Sequence, residues 1–229
     1  MNKKDRKTEL RSKLMTDAYL PWLKMTRRAQ RTTENDVRVE CGACRACCTS
    51  SYFIHIRPDE TDTLKHIPKN LLFPAPGLPK GHVVMGYDKN GHCPMFKNNE
   101  CSIYEHRPQT CRTYDCRIFP ATGLFVGKDK PEIQKQAERW EFQFPYDDDS
   151  EAIKAVQSAA RFITKYSAYF PAGFIPANIT QQAVLAIKIF SIFHEESYQN
   201  CPPNDYPLIN EIVESVLNAY KKFEAEKFV

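Results

Sequence analysis

The chain of 229 residues is long enough for one domain, or for a domain with a helical extension. Hydrophobic residues make up 42% and charged residues 26%, a composition typical of a chain that folds around a core. With a mean hydropathy of −0.54, it has no apolar run approaching the roughly 18 residues of a membrane helix. No apolar segment or small-residue cleavage site follows its basic start. We therefore expect a cytoplasmic protein that neither spans a membrane nor is secreted.

The net charge of +4 is concentrated at the start of the chain. Residues 1–40 hold 11 Lys and Arg against 6 Asp and Glu, whereas the remainder holds 21 against 22. A body with balanced charge argues against nucleic acid as a partner. The basic residues are better explained as the solvated face of a helix.

Residues 1–39 are predicted to form a basic, helical N-terminal arm, with the helix itself over 3–34. Leu10, Leu14 and Ala18 are spaced for one buried face, and Pro21 interrupts or restarts the helix.

Residues 121–229 are predicted to form a helical C-terminal part. Apolar periodicity places long helices at about 150–170, 180–197 and 207–226, with turn signals between them. A strand at 123–127 and a short helix from Pro131 to about Trp140 precede them. The acidic run Asp147–Asp149 is expected to cap the first long helix rather than to bind a cation.

Residues 40–120 read as an irregular module rich in cysteine and proline. Two short runs, 52–56 and 82–85, are predicted to pair as small strands. This segment has too few periodic apolar residues to form a large core. We therefore expect a bound metal to supply the missing stability. The predicted fold class is mainly α, with a small irregular α+β cysteine-rich metal-binding module clasped by N- and C-terminal helices in one compact unit.

Eight of the nine cysteines fall within this module. In a reducing cytoplasm, such clustering indicates metal binding or redox chemistry rather than disulfides. Cys201 lies far from the others, in a turn between helices, and is expected to be a buried thiol. The candidate metal ligands are Cys41, Cys44, Cys47, Cys48, Cys93, Cys101, Cys111 and Cys116.

The spacing of these cysteines leaves the type of metal open. Cys41, Cys44 and Cys47 are separated by two-residue gaps, as in half of a ferredoxin motif, and Cys93 is a plausible distant fourth ligand. A zinc ion would instead suit two pairs, Cys41/Cys44 and Cys111/Cys116. Eight cysteines are enough for one four-iron cluster with spare thiols, or for two four-ligand sites.

Other polar residues of the module are expected to support the metal rather than to bind it. His92 and His106 are the best histidine candidates, but they are expected to lie beside the site or at the surface. Four arginines near the cysteines are either surface residues or groups that offset the negative charge of metal-bound thiolates. They are Arg45, Arg107, Arg112 and Arg117.

Two motifs carry a resemblance to a known family. The first is C-x2-C-x2-C-C, from Cys41 to Cys48, and the second is C-x-I-Y-x-x-R-P-x-x-C-R, from Cys101 to Arg112. Together with Gly91-His92-Cys93-Pro94, they resemble the CxxCxxCC cysteine-cluster family over roughly residues 40–120. The resemblance implies chelation of zinc or iron, or an iron–sulfur cluster.

Three functions remain open from the sequence. The first is an iron–sulfur protein, of the 4Fe–4S type, that transfers electrons to a redox partner. The second is a zinc-stapled structural module that binds another protein, and the third is metal trafficking or storage. The sequence contains no Gly-rich phosphate loop, nucleophile elbow or HExxH motif, and no catalytic residues are identified.

Overall fold

Residues 13–31, 39 and 42–226 are described by the computed structural model. They pack as two compact units, here called the helical unit (13–31, 117–126 and 137–226) and the cysteine-rich unit (39, 42–116 and 127–136). Nine α-helices and seven short strands lie within the described residues. The prediction of a mainly helical protein with a cysteine-rich part that contains short strands is confirmed.

The elements in chain order are β1 (Leu14–Ala18), α1 (Tyr19–Arg31), β2 (Ile54–Ile56), α2 (Thr61–His66), β3 (Leu72–Pro74), β4 (Val83–Met85), β5 (Phe96–Lys97), β6 (Glu100–Cys101), α3 (Gln109–Thr113), α4 (Ile118–Thr122), α5 (Pro131–Ala137), β7 (Trp140–Gln143), α6 (Asp147–Lys165), α7 (Ile179–Ile189), α8 (Glu196–Gln199) and α9 (Tyr206–Ala225).

The core of the helical unit is built by α6, α7 and α9, which confirms the three predicted long helices. Their apolar faces bury Ile163, Ile189 and Ile212 completely. The second helix ends sooner than predicted, and a 3₁₀ turn over Phe190–His194 follows it. Side-chain caps start α7 and α9, because the carboxamide of Asn178 and the carboxylate of Asp205 accept hydrogen bonds from free backbone N–H groups.

Asp149 joins the beginnings of two helices. It is 1% exposed, and its carboxylate accepts hydrogen bonds from the backbone N–H groups of Tyr146 and Leu20. The first contact caps α6, and the second satisfies an N–H in the first turn of α1. The predicted capping role of the acidic run is confirmed for this residue.

The helix predicted over residues 3–34 is only partly correct. Residues 19–31 are helical, with Pro21 in the first turn, where no N–H is needed. Residues 14–18 instead form β1, which pairs in parallel with β7 and places Leu14 opposite Trp140. Pairing with a strand so distant in sequence overrides the local helical spacing. The predicted positions 3–12 and 32–34 lie outside the described residues.

The strand predicted at 123–127 is wrong. Gly123, at φ +69°, adopts the left-handed conformation that ends α4, and its N–H donates to the carbonyl of Phe119. Gly127 also has a positive φ, of +119°. Such dihedral angles lie outside the extended region, so these glycines break the strand that the apolar residues between them suggest.

The cysteine-rich unit contains a three-stranded antiparallel sheet in the order β2–β4–β3. Ile54 pairs with Met85 across β2 and β4, which confirms the strands predicted within 52–56 and 82–85. The small core beneath the sheet contains Ile54, Ile56, Ile67, Met85, Met95 and Ile103. Three cysteines pack at its edge, and they are Cys93, Cys101 and Cys111.

None of the helices within the described residues is long and apolar enough to span a bilayer.

Candidate metal centre

Residues 42–48, the described part of the first cysteine motif, lie in a loop that hydrogen bonds hold in place. The Arg45 guanidinium donates to the carbonyls of Gly42 and Cys44, and its Nε donates across the unit to the carbonyl of Asn99 at 2.6 Å. A 3₁₀ turn follows over Cys47–Thr49. The buried hydroxyl of Ser50 donates to the carbonyl of Ala46 at 2.6 Å and closes this turn. The loop conformation therefore does not depend on a metal alone.

Two further cysteines come from the chain around α3. The backbone N–H of Cys111, within this short helix, donates to the carbonyl of Pro108, and Cys116 follows the helix. The Arg112 Nε donates to the carbonyl of Arg107 at 2.7 Å. The N–H of Val39 donates to the carbonyl of Arg112, which brings the chain just before the first cysteine motif to this helix.

The thiols of these two segments converge on Cys47. Burial raises the pKa of the Cys47 thiol, and electrostatic repulsion from four other thiols raises it further. The five sulfurs are here called the Cys47 cluster, and they belong to Cys44, Cys47, Cys48, Cys111 and Cys116. Deprotonated together, these thiols would repel one another, and a bound cation would offset the charge of the thiolates that metal binding requires. The donor set therefore fits a metal.

Cys93 and Cys101 form a second group, here called the Cys93 pair. Cys101 lies in β6 opposite Phe96 of β5, and the two thiols interact electrostatically. Burial raises the pKa of Cys93, although hydrogen bonds from the N–H groups of Met95 and Phe96 to its sulfur oppose the rise. The N–H of Cys93 also donates to the carbonyl of Cys48 at 2.8 Å, so the backbones of the two groups are adjacent.

Two tyrosines shield one side of the Cys47 cluster. The hydroxyls of Tyr114 and Tyr52 lie 3.2 Å apart, and burial, followed by the neighbouring Cys47, raises the pKa of Tyr114. The Lys130 ammonium lies 4.5 Å from the centre of the Tyr52 ring and donates to the carbonyl of Ser50. Tyr114 is therefore buried beside Cys47.

The arginines named from the sequence hold the backbone in place. Arg45 and Arg112 donate to carbonyls, as described above. Arg107 is 5% exposed, donates to the carbonyl of Tyr104 and stacks on its ring at 3.8 Å. Arg117 belongs to the helical unit and faces the Trp140 ring. Arg45, Arg107 and Arg112 therefore support the loops of the cysteine-rich unit.

Not every predicted ligand joins the two thiol groups. Cys41 lies outside the described residues, so its place in the site stays a prediction. Cys201 belongs to the helical unit, where it packs against the core but is half-buried rather than buried as predicted. The eight described cysteines form no disulfide with one another.

The two candidate histidines differ in their surroundings. The His92 ring meets the ring of Phe96 edge-on, and its backbone N–H donates to the carboxylate of Asp88. His106 bonds to Asp62 and stacks on His66. Sequence reasoning missed His66 and Asp62, although their four-residue spacing on a helix was the available signal.

Thiols gathered in a loop-rich unit with a small core define a cysteine-cluster domain of the kind that chelates zinc or iron. Residues 40–139 match the model of the CxxCxxCC family, which is described as "Putative zinc- or iron-chelating domain". The match confirms the resemblance seen in the motifs and extends it past residue 120. No curated protein and no solved structure matches the chain.

Proposed function

We propose that the cysteine-rich unit holds an iron–sulfur cluster of the 4Fe–4S type and serves electron transfer. Such a cluster takes four thiolate ligands. The Cys47 cluster offers five candidates, and Cys41 of the C-x2-C-x2-C-C motif offers a sixth. Thiolate-bound iron in such clusters takes up and releases single electrons.

The spacing of the thiols carries the proposal. Four thiolates on one zinc ion lie about 3.8 Å apart, as tetrahedral Zn–S bonds of about 2.3 Å require. Among residues 13–31, 39 and 42–226, the only group of three or more candidate ligand atoms within 4.8 Å of one another contains no cysteine. No three of the described thiols around Cys47 lie within 4.8 Å of one another, which is wider than one zinc ion would hold them and favours a larger core of several iron and sulfide ions.

The residues around the thiols suit a redox centre. Burial of Cys47 and the cover of Tyr52 and Tyr114 limit the access of water to this side of the site. Lower exposure to solvent and hydrogen bonds to sulfur are the means by which a protein sets a cluster's reduction potential. Each cysteine residue of the Cys47 cluster nevertheless keeps some exposed surface, even though the Cys47 sulfur is buried, which keeps the centre near enough to the surface for a partner to exchange electrons.

The proposal includes a redox partner and a cytoplasmic location. Electron transfer requires a donor and an acceptor outside the chain. Eight described cysteines without a disulfide among them suit a reducing compartment, where thiols persist.

Anaerobic purification followed by metal, acid-labile sulfide and visible-absorption measurements on one sample tests the proposal. We expect iron and sulfide in equal amounts and a broad charge-transfer absorption near roughly 400 nm that bleaches on reduction. Cys47→Ser should lose the iron and the absorption. Cys201→Ser is the matched control, because this thiol lies in the helical unit, and it should retain both.

Colourless protein that contains zinc and no sulfide would overturn the iron–sulfur assignment in favour of a structural zinc site. Cys93→Ser and Cys101→Ser test whether the Cys93 pair belongs to the centre. Retention of full iron content by both variants would restrict the ligands to the Cys47 cluster and Cys41.

A further inference from the structure

We propose that Asp62, His66 and His106 form a second, surface metal site, in which the Nε2 atoms of the two histidines bind a divalent ion such as Zn²⁺. This site contains no cysteine and does not rest on the proposed iron–sulfur function. It is the one group of three candidate ligands with mutual distances within 4.8 Å among the described residues.

Hydrogen bonds set the tautomers of both rings for metal binding. The Nδ1 of His66 lies 2.9 Å from the backbone carbonyl of Asp62, and the Nδ1 of His106 lies 2.7 Å from the Asp62 carboxylate. A carbonyl or carboxylate oxygen only accepts, so each Nδ1 carries a proton and donates it. In the neutral rings, each Nε2 therefore keeps its lone pair, and a carboxylate-bound Nδ1–H is the usual support of a metal-binding histidine.

The two rings also lie next to each other in a parallel stack. Their centres are 3.6 Å from each other, with 6° between the ring planes. Two imidazole nitrogens on one tetrahedral zinc ion lie about 3.4 Å apart, given Zn–N bonds of about 2.0–2.1 Å. The rings must rotate out of this parallel stack before both Nε2 lone pairs can point at one ion. Both side chains are free to make this rotation, since they are 39% and 40% exposed.

A separate contact holds the two backbone segments together. Glu60 lies just before α2, and its carboxylate accepts hydrogen bonds from the N–H groups of Arg57 and Gln109. It therefore joins the helix that carries Asp62 and His66 to the chain that follows His106. Because this clamp uses none of the three site residues, the two backbone segments are held together whether or not an ion is bound.

Imidazole nitrogen is a good ligand for Zn²⁺, Cu²⁺ and Ni²⁺, and one carboxylate reduces the charge of the loaded site. Water completes the coordination, since only two ring nitrogens face the ion. Protons compete for the same nitrogens, so zinc binding should weaken on acidification.

Calorimetric titration of the protein, purified with its cysteine-bound metal in place, with Zn²⁺ tests the site. We expect one zinc ion to bind in addition to the metal present after purification. His66→Gln and His106→Gln should each weaken this binding by about tenfold or more. Asp62→Asn keeps an acceptor for His106 but loses the charge, and it should weaken binding within the range of about 10- to 100-fold seen for such supporting residues.

The chain offers a matched control in its second stacked histidine pair, His55 and His82. Their planes are 4° apart, but the Nε2 of His55 and the Nδ1 of His82 are hydrogen-bonded to each other at 2.9 Å. His82→Gln should therefore leave zinc binding unchanged. The absence of an additional ion, or equal weakening by His82→Gln and His106→Gln, would overturn the proposal. Visible absorption and metal content before titration report the cysteine site separately.

Discussion

The helical unit buries fifteen residues in one apolar cluster, whereas the corresponding cluster of the cysteine-rich unit has six. In the first, α6, α7 and α9 present continuous apolar faces to one another. In the second, strands of two or three residues are joined by loops, and three cysteines border the core. Burial of apolar surface is therefore sufficient for the helices, whereas hydrogen-bonded loops and thiol ligation must supplement it in the cysteine-rich unit.

Removal of the metal should produce the largest difference in stability between the two units. Binding of a structural metal contributes on the order of 10 kcal/mol to folding in small cysteine sites. We expect a chelator, or Cys47→Ser, to abolish protection of the backbone amides in residues 42–116, while α6, α7 and α9 remain protected. Hydrogen exchange read by mass spectrometry measures both units at once.

Cys201→Ser serves again as the control and should leave both exchange patterns intact. If the helices lost protection together with the cysteine-rich unit, the two units would not differ in what holds them together.

A pair of matched substitutions tests the same difference between the cores of the two units. Ile212 and Ile56 are both 0% exposed, the first in the helical core and the second beneath the small sheet. Truncation of each to alanine should cost about 2–5 kcal/mol, from lost burial and the cavity left behind. Ile212→Ala should lower the stability of the helices without speeding metal loss. Ile56→Ala should accelerate metal loss to a chelator.

Denaturant unfolding and the rate of metal release measure the two effects. Equal rates of release from both variants would show that the metal site does not depend on its local core.

The smallest expected effect concerns pH. Burial, followed by the neighbouring His82, lowers the pKa of His55 below its ordinary value of 6.5. The folded protein therefore binds this proton less readily than the unfolded chain does. The corresponding stability is fully present above pH 6.5 and is lost as the pH falls from there through the folded-state pKa.

An NMR titration of the His55 ring tests this directly and is independent of metal loss. Its midpoint should lie below 6.5, and His82→Gln should move it upward, because one of the two main causes is removed. A midpoint at or above 6.5 would contradict the expectation.

Local patterns in the sequence were sufficient for much of the fold. The long helices follow from apolar periodicity together with capping residues such as Asn178 and Asp205, since neighbours in sequence determine both. The small strands at 54–56 and 83–85 were also predicted. The CxxCxxCC domain was recognisable from cysteine spacing and the motif from Cys101 to Arg112, since ligand spacing in a loop is a local property.

Apart from the strand predicted at 123–127, which Gly123 and Gly127 break, the failures arose where distant segments meet. Residues 14–18 have helical spacing, yet they pair with β7, about 125 positions along the chain. The Asp62–His106 contact joins residues 44 positions apart, and no local pattern in the sequence predicts it.

The sequence by itself determined the helical core, the match of residues 40–139 to a cysteine-cluster domain and the set of candidate cysteines, because periodicity and spacing act over a few residues. Only the tertiary structure decided how the described thiols divide into the Cys47 cluster and the Cys93 pair. It also decided that His66 and His106 stack above one carboxylate. These groupings depend on loops held by single long-range hydrogen bonds, such as those of Arg45 and Glu60. Such contacts cannot be predicted from sequence periodicity, because the two residues that each one joins are not separated by a fixed spacing.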